Sequence, residues 1–259
     1  MKEDLKITLV QSDLHWENIE ANLAMFSDKL ASISEPTDLV ILPEMFSTGF
    51  TMNAVAFAEN MSGKTLTWMA NQAKRLNAVL TGSLIITENG KFYNRLVWMR
   101  PDGSYETYDK RHLFGLGKED KTYTAGHKKL MVELKGWKIC PMICYDLRFP
   151  VWIRNRNTNP YDLFILVANW PERRSGHWKA LLPARAVENQ CFVVGVNRVG
   201  NDGNDIPHTG DSMLLAPDGT LLYSKTHVED IFTIELSKEN LEFIRRGFPF
   251  LKDQDDFTV

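Results

Sequence analysis

Apolar residues along this chain repeat with two periods, one typical of helices and one typical of strands. Between residues 19 and 33, apolar positions follow one another at spacings of three and four, which predicts an amphipathic helix. Asn18, before this stripe, is a typical helix cap, and Pro36 ends the pattern. Further helices are predicted over residues 65–77, 149–156 and 176–189.

Alternating or fully apolar runs lie between these helices and predict strands. The predicted strands are residues 6–11, 38–42, 79–87, 92–99, 105–108, 130–134, 137–143, 162–168, 192–196, 211–216, 219–224 and 231–236. The runs 39–42 and 163–167 are apolar throughout, as expected of strands that are covered on both faces. Since strands alternate with helices in each half and hairpins lie between them, the pattern predicts sheets packed as a sandwich with helices outside.

No linker, repeat or low-complexity segment interrupts the chain, so we predict one domain over residues 1–259. Residues 115–128 are polar and glycine-rich, which predicts a loop. The C-terminal tail, from about residue 238, is polar, and we expect Phe248-Pro249-Phe250 to anchor it.

Composition and charge exclude several classes of protein. With 44% hydrophobic and 24% charged residues and a net charge of -3, the chain has no basic patch for nucleic acid or an anionic membrane. No apolar run approaches the ~18 residues of a membrane span. Residues 1–5 carry acids where a signal peptide starts basic, and Cys140, Cys144 and Cys191 are too few for a disulfide framework. We therefore expect a cytoplasmic protein.

Three reactive side chains each follow a strand-like run at once: Glu44, Lys110 and Cys144. Strand ends in α/β sheets gather at one edge, where ligand sites form. Taken singly, each residue has an ordinary structural explanation. A glutamate after Leu-Pro is typical of a solvated loop, a lysine among charged residues is typical of the surface, and a strand-end cysteine is typical of the core.

In combination, the blocks 42–44, 109–114 and 143–150 resemble the signature blocks of the nitrilase superfamily of carbon–nitrogen hydrolases. Later segments that resemble the same family are 184–189, 197–200 and 210–219. The resemblance covers nearly the whole chain. It implies an α/β fold of the four-layer αββα sandwich type, paired into homodimers or larger homo-oligomers across the helices near the site.

The resemblance also implies roles for the three strand-end residues. Cys144 attacks an amide carbon and forms a thioester, Glu44 is the general base, and Lys110 favours the thiolate. Lys110 and the backbone N–H of Tyr145 then hold the oxyanion. This chemistry needs no metal or other cofactor, and the six histidines show no close pairing typical of a metal site.

A second glutamate is implied at Glu119, where it steers the lysine. Two alternatives remain open from the sequence. The neighbouring Asp120 could take this place, or Glu119 could be an ordinary solvated loop acid.

Segments 43–50 and 168–171 are similar to the bacterial ω-amidase branch, whose small-molecule substrates are short dicarboxylic acid monoamides such as 2-oxoglutaramate and succinamate. The carboxylate at the end of these substrates opposite the amide requires a cation in the pocket. An arginine guanidinium can bind a carboxylate with two hydrogen bonds. Arg174 is the first candidate, followed by Arg173 and Arg148, although Arg148 could instead pair with Asp146. Asn169 is expected to contact the substrate. Three aromatic residues are expected to line the pocket or, alternatively, to be core: Phe46, Phe50 and Trp170.

Three other functions compete with that of an ω-amidase. Another activity of the superfamily, a nitrilase or an N-carbamoyl amino acid hydrolase, uses the same residues. A catalytically inactive binding protein is disfavoured by the intact reactive residues. A nucleotide-binding module is disfavoured because Gly63-Lys64-Thr65, which resembles the end of a phosphate loop, has Ala58 where that loop requires glycine.

Overall fold

The computed structural model describes residues 3–255, and two β-sheets facing each other form its centre. The strands are β1 (Leu5–Gln11), β2 (Leu39–Ile41), β3 (Val79–Glu88), β4 (Lys91–Met99), β5 (Tyr105–Asp109), β6 (Val132–Leu134), β7 (Trp137–Ile143), β8 (Leu163–Ala168), β9 (Phe192–Asn197), β10 (Val199–Asn201), β11 (Pro207–Leu215), β12 (Leu221–Thr226) and β13 (Asp230–Leu236). The helices are α1 (Ile19–Ala31), α2 (Ala54–Phe57), α3 (Lys64–Leu76), α4 (Glu119–Thr122), α5 (Pro150–Ile153), α6 (Ser175–Asn189) and α7 (Lys238–Gly247).

Each sheet has a parallel centre and antiparallel edges. The first has the order β13-β1-β2-β3-β4-β5, with β1, β2 and β3 parallel. The second has the order β10-β11-β9-β8-β7-β6, with β7, β8 and β9 parallel and β12 paired to β11. In a parallel centre the carboxyl ends of the strands share one edge, which brings the residues that follow β2, β7 and β8 toward a common region.

Alternation along the central strands explains the layers. Leu39 and Ile41 of β2 pack into the cluster between the sheets, whereas Val40 packs with α1 and α3 outside. On the second sheet, Trp178 and Leu182 of α6 cover the strands. The order of layers is therefore helix, sheet, sheet, helix, and the predicted αββα sandwich is confirmed.

Several elements differ from the sequence prediction. The predicted loop 115–128 contains α4, and β10 was not predicted. The polar region after Ser237 contains α7, whose N-terminus is capped by the Ser237 hydroxyl. The sequence prediction missed this helix because it is polar on average and buries only Leu241.

The predicted aromatic anchor of the tail was wrong. The side chains of Phe248 and Phe250 are 60% and 53% exposed, and the buried residue in this region is Leu251.

The contact between α6 and β9 depends on Gly195. A Cβ atom at this position would lie 2.6 Å from both Leu182 Cδ1 and Trp178 Cζ2, which is closer than real carbon atoms approach. The helix can therefore lie flat on the sheet only because residue 195 lacks a side chain.

We predict that Gly195→Ala lowers the free energy of unfolding by about 1–3 kcal/mol, because the added methyl overpacks this contact. Gly176→Ala, in helix α6, is the matched control, since no heavy atom lies within 4 Å of its added Cβ. Urea unfolding monitored by circular dichroism measures both. Equal stability of the two variants would contradict the close packing.

Candidate active site

Glu44 lies in a tight turn that follows β2. Its side chain is fully buried, and the next residue, Met45, has a left-handed backbone with φ +42°. The N–H of Met45 donates to Ser83 Oγ at 2.8 Å, which holds this sparsely populated conformation in place. The turn therefore gives Glu44 a fixed direction at the end of its strand.

Cys144 follows β7 with the same type of backbone, again with φ +42°. The turn that it opens is braced by Asp146, whose carboxylate accepts hydrogen bonds from Ile143 N–H (3.1 Å), Tyr108 Oη (2.8 Å) and His112 N–H (3.0 Å). Cys144 is half-buried and lines a cavity, whereas Cys140 on the preceding strand is fully buried. Of these two, only Cys144 is accessible.

Lys110 follows β5 and lies between two buried carboxylates. Its Nζ donates to Glu44 Oε1 at 2.8 Å and to Glu119 Oε1 and Oε2 at 3.0 and 2.9 Å. The side chains of Lys110, Glu44 and Glu119 are 1%, 0% and 0% exposed. Three charged groups from distant parts of the chain therefore form one network shielded from water.

The second carboxylate is that of Glu119, in the short helix α4. Its Oε2 also accepts the N–H of Phe114 at 2.6 Å. Asp120 is exposed and pairs with Lys121 instead. The structure thus decides between the alternatives left open by the sequence: Glu119 joins the lysine, and it is not a solvated loop acid.

The charges of this network act on one another. Burial alone would lower the pKa of Lys110, but Glu119 and Glu44 outweigh it and raise that pKa above its ordinary value. Burial raises the pKa of Glu119, and Lys110 opposes that shift. The lysine therefore stays an ammonium ion.

The pKa of the Cys144 thiol is raised well above its ordinary value, first by burial and then by the negative charge of Glu44. Lys110 acts in the expected direction and lowers it, but the other two effects prevail. Lys110 therefore favours the thiolate, as expected, but does not produce one in the resting site. Because its pKa is raised, the resting thiol is neutral.

Glu44, Lys110 and Cys144 line one cavity of about 490 Å³. Six of the residues expected from the sequence to bind substrate also line it: Phe50, Arg148, Asn169, Trp170, Arg173 and Arg174. Asn169, which follows β8, also fixes Glu44. Its N–H donates to Glu44 Oε2 at 2.8 Å and its Nδ2 to the Glu44 carbonyl at 2.5 Å.

Phe46 does not line the cavity, and this prediction was wrong. Its ring is fully buried and packs edge-on against Phe26, with ring centroids 5.5 Å apart, and against Trp68. The N–H of Phe46 donates to the Ser83 carbonyl, and the ring lies among the residues of the helix layer outside the first sheet. Phe50, beyond the turn, takes the expected place, with Lys110 Nζ 5.2 Å from its ring centroid.

The three arginines form a cationic wall of the cavity. Arg174 lies over the ring of Phe114 at 4.8 Å, and Arg148 lies over Trp170 at 4.7 Å. Burial, together with the neighbouring arginines, lowers the pKa of Arg174. No carboxylate between residues 3 and 255 forms a salt bridge with Arg148, Arg173 or Arg174. The alternative pairing of Arg148 with Asp146 is therefore wrong.

Other cavity residues were missed from the sequence. Among them are Trp16, Glu17, Asp202, Asn204 and His208. They come from loops after β1 and β10 and from the start of β11, and no strand-end pattern marks them. Burial lowers the pKa of His208 to about 4, so this histidine is neutral near pH 7.

Two kinds of feature do not occur in the described region. No group of three or more His, Cys, Asp or Glu side chains in it could hold a metal ion. None of its helices is long and apolar enough to cross a membrane.

The family model for carbon–nitrogen hydrolases matches residues 6–246. The chain belongs to the carbon–nitrogen hydrolase family. Within this family it is 44% identical over 256 residues to the ω-amidase YafV of Escherichia coli K12, covering 98% of each chain. It is 31% identical over 250 residues to the 2-oxoglutaramate amidase of Bacillus subtilis 168, covering 95% of this chain and 96% of that protein.

Solved structures of carbon–nitrogen hydrolases have the same fold. XC1258 of Xanthomonas campestris, a superfamily member with an arsenic adduct in its active site, superposes with a TM-score of 0.97 at 44% identity, over 99% of both chains. Nit3 of Saccharomyces cerevisiae, a nitrilase-superfamily protein, superposes with a TM-score of 0.86 at 25% identity, over 95% of both chains. The resemblance to the nitrilase superfamily is confirmed.

We predict that the Cys144 thiol of this hydrolase remains protonated at pH 9.0, its ordinary pKa, because its own pKa is raised. The ultraviolet difference spectrum between the unmodified protein and Cys144→Ala then shows no thiolate absorbance at that pH. In Glu44→Gln, removal of the negative charge lowers the pKa of the thiol, so the signal appears at a lower pH. A Cys144-dependent thiolate signal below pH 9.0 in the unmodified protein would contradict this prediction.

Proposed function

We propose that this protein is an ω-amidase, which hydrolyses the terminal amide of short dicarboxylic acid monoamides of the 2-oxoglutaramate or succinamate type to the acid and ammonia. The observation that carries the proposal is the buried Glu44–Lys110–Glu119 network beside the Cys144 thiol, in a cavity with unneutralised arginines. The similarity to an ω-amidase and to a 2-oxoglutaramate amidase supports it.

In the proposed first step, Glu44 takes the thiol proton as Cys144 Sγ attacks the amide carbon. The carbon–sulfur bond forms, and the carbonyl oxygen becomes an oxyanion. Lys110 Nζ and the backbone N–H of Tyr145 hold this oxyanion, and one such donor is typically worth about 3–4 kcal/mol. The neutral resting thiol fits this scheme, because it still carries the proton that Glu44 takes.

In the second step, Glu44 gives its proton to the departing nitrogen. The carbon–nitrogen bond breaks, ammonia leaves, and a thioester to Cys144 remains. Glu44 then takes a proton from water, whose oxygen attacks the thioester carbon. The carbon–sulfur bond breaks, the acid is released, and the thiol regains its proton. Every step uses only groups of this chain, the substrate and water.

The arginine wall is the proposed site for the carboxylate at the far end of the substrate. Arg174 is half-buried without an ion-pair partner in the described chain, so an incoming carboxylate relieves an uncompensated charge. Arg148 lies in the same wall, whereas Arg173 is exposed. Phe50 and Trp170 provide apolar surface for the short aliphatic segment.

We further propose that the protein is cytoplasmic and forms a homodimer or larger homo-oligomer through the helices near the site. Support for the assembly comes from apolar side chains left exposed on two of these helices, Val151 of α5 and Val187 of α6. The three free cysteines suit a reducing compartment.

We predict that Cys144→Ala folds like the parent protein but loses ammonia release from succinamate by more than ~10³-fold, because no nucleophile remains. Ammonia release is scored for 2-oxoglutaramate, succinamate, a nitrile and an N-carbamoyl amino acid. The proposal expects turnover of the two monoamides only. Turnover in Cys144→Ala, or a preference for the nitrile or the carbamoyl compound, would overturn it.

We predict that Arg174→Gln lowers kcat/KM for succinamate by roughly 10- to 150-fold, mainly through KM, because a charged hydrogen bond is worth about 1.5–3 kcal/mol. Butyramide, which has no carboxylate, is the control substrate, and its kcat/KM is expected to stay within about threefold. Arg173→Gln is the matched variant and is expected to have a smaller effect. Equal losses on both substrates would remove Arg174 as the carboxylate anchor.

A further inference from the structure

A second link between the two buried glutamates comes from the middle of β4. Asn94 is fully buried, and its Nδ2 donates to Glu44 Oε1 at 2.8 Å and to Glu119 Oε1 at 3.1 Å. The same two oxygens accept Lys110 Nζ at 2.8 and 3.0 Å. Two carboxylate oxygens and two nitrogens thus form a closed ring of four hydrogen bonds.

Electrostatics fixes the orientation of the Asn94 amide. Its Oδ1 is buried and has no hydrogen-bond partner in residues 3–255. Reversal of the amide would turn this oxygen toward the oxygens of Glu44 and Glu119, and acceptors facing acceptors repel one another. An unpaired buried acceptor costs free energy, so the residue is locally unfavourable. Such exceptions are typical of functional sites.

The backbone of Asn94 also positions Lys110. Its carbonyl accepts the Lys110 N–H at 3.0 Å. The next residue, Arg95, binds Asp109 through both oxygens at 2.6 and 2.9 Å, and Asp109 directly precedes the lysine. Asn94 is not among the residues that line the cavity. It can therefore act on the reaction only through the residues that it holds.

We propose that Asn94 is a positioning residue for the general base: its amide fixes Glu44 in the orientation that accepts the Cys144 proton and bridges Glu44 to Glu119. Because Lys110 and Asn94 occupy Oε1, Oε2 is the oxygen that receives the proton, and it is itself oriented by the N–H of Asn169 at 2.8 Å. The inference rests on the proposed role of Glu44 as the base.

A neutral donor suits this position better than a second cation. Two carboxylates that share one ammonium ion repel each other, and a bridging amide offsets part of that repulsion. A second positive charge would do so more strongly, but it would also weaken Glu44 as a proton acceptor. An amide therefore orients the base without making it less basic.

The experiment compares Asn94→Ala and Asn94→Asp. Alkylation of Cys144 by iodoacetamide, followed across pH, reports on proton transfer from the thiol without any amide substrate. Steady-state ammonia release from succinamate gives kcat and KM. For Asn94→Ala we expect kcat and the alkylation rate at neutral pH to fall by about 100-fold, with KM within about threefold, because the base is misplaced while the cavity is intact.

Asn94→Asp adds an effect of pH. The ionisable groups around position 94 are Glu44, Lys110, Glu119 and Cys144, with Tyr123 beyond Glu119. A carboxyl between two carboxylates is protonated more readily than usual, and only its protonated form can donate a hydrogen bond. The Asp variant is therefore expected to react faster than the Ala variant at about pH 5.5 and slower at about pH 8.5.

Asn155→Asp is the matched control. Asn155 is fully buried, and its Nδ2 donates to the Tyr161 and Asn189 carbonyls, away from the cavity residues. We expect it to lower Tm but to keep the pH profile of alkylation of the parent protein. If Asn94→Asp does not fold, Asn94→Ala still tests the role of Asn94, because this substitution adds no charge to the buried site.

Two results would overturn the inference. One is a parent-like alkylation rate and kcat per folded molecule in Asn94→Ala, and the other is parallel pH profiles of the Asp and Ala variants. Failure of the proposed function looks different. In that case the parent protein releases no ammonia from succinamate, while the alkylation profiles of the Asn94 variants still change as expected.

Discussion

The site depends on one buried ammonium ion shared by two carboxylates. Removing three charged groups from water is costly unless each is paired, and Lys110 between Glu44 and Glu119 meets that condition. The three residues follow β2, follow β5 and begin α4, so the pairing ties distant parts of the first half of the chain together. Loss of Lys110 would leave both buried carboxylates without a compensating charge.

Rigid strands and two strained turns direct the reacting groups. Met45 and Cys144 both have left-handed backbones, which cost about 1–3 kcal/mol each for residues other than glycine. These turns are held by backbone N–H groups that donate to Ser83 Oγ and to the Asp146 carboxylate, and the parallel strands before them are covered on both faces. The two turns therefore lower the stability of the fold, but they fix the directions of the Glu44 and Cys144 side chains.

Charge is distributed unevenly around the cavity. The Glu44–Lys110–Glu119 network carries two potential negative charges against one positive, and it keeps the neighbouring thiol neutral. The arginine wall carries the opposite sign and no carboxylate partner within the described chain. A substrate with one carboxylate and one amide is therefore oriented by attraction at the arginines and by repulsion from the glutamates.

The sequence by itself determined most elements and the layered fold, because the period of the apolar residues shows which face of each element is buried. It also determined the positions of Glu44, Lys110 and Cys144, because each of these three residues follows a strand. Only the tertiary structure placed Phe46 in the core and linked Asn94 to the glutamates. A turn with positive φ redirects the side chains after it, which no period records. The contact between Asn94 and Glu44 joins residues 50 positions apart, and such a pairing exists only once the strands have assembled.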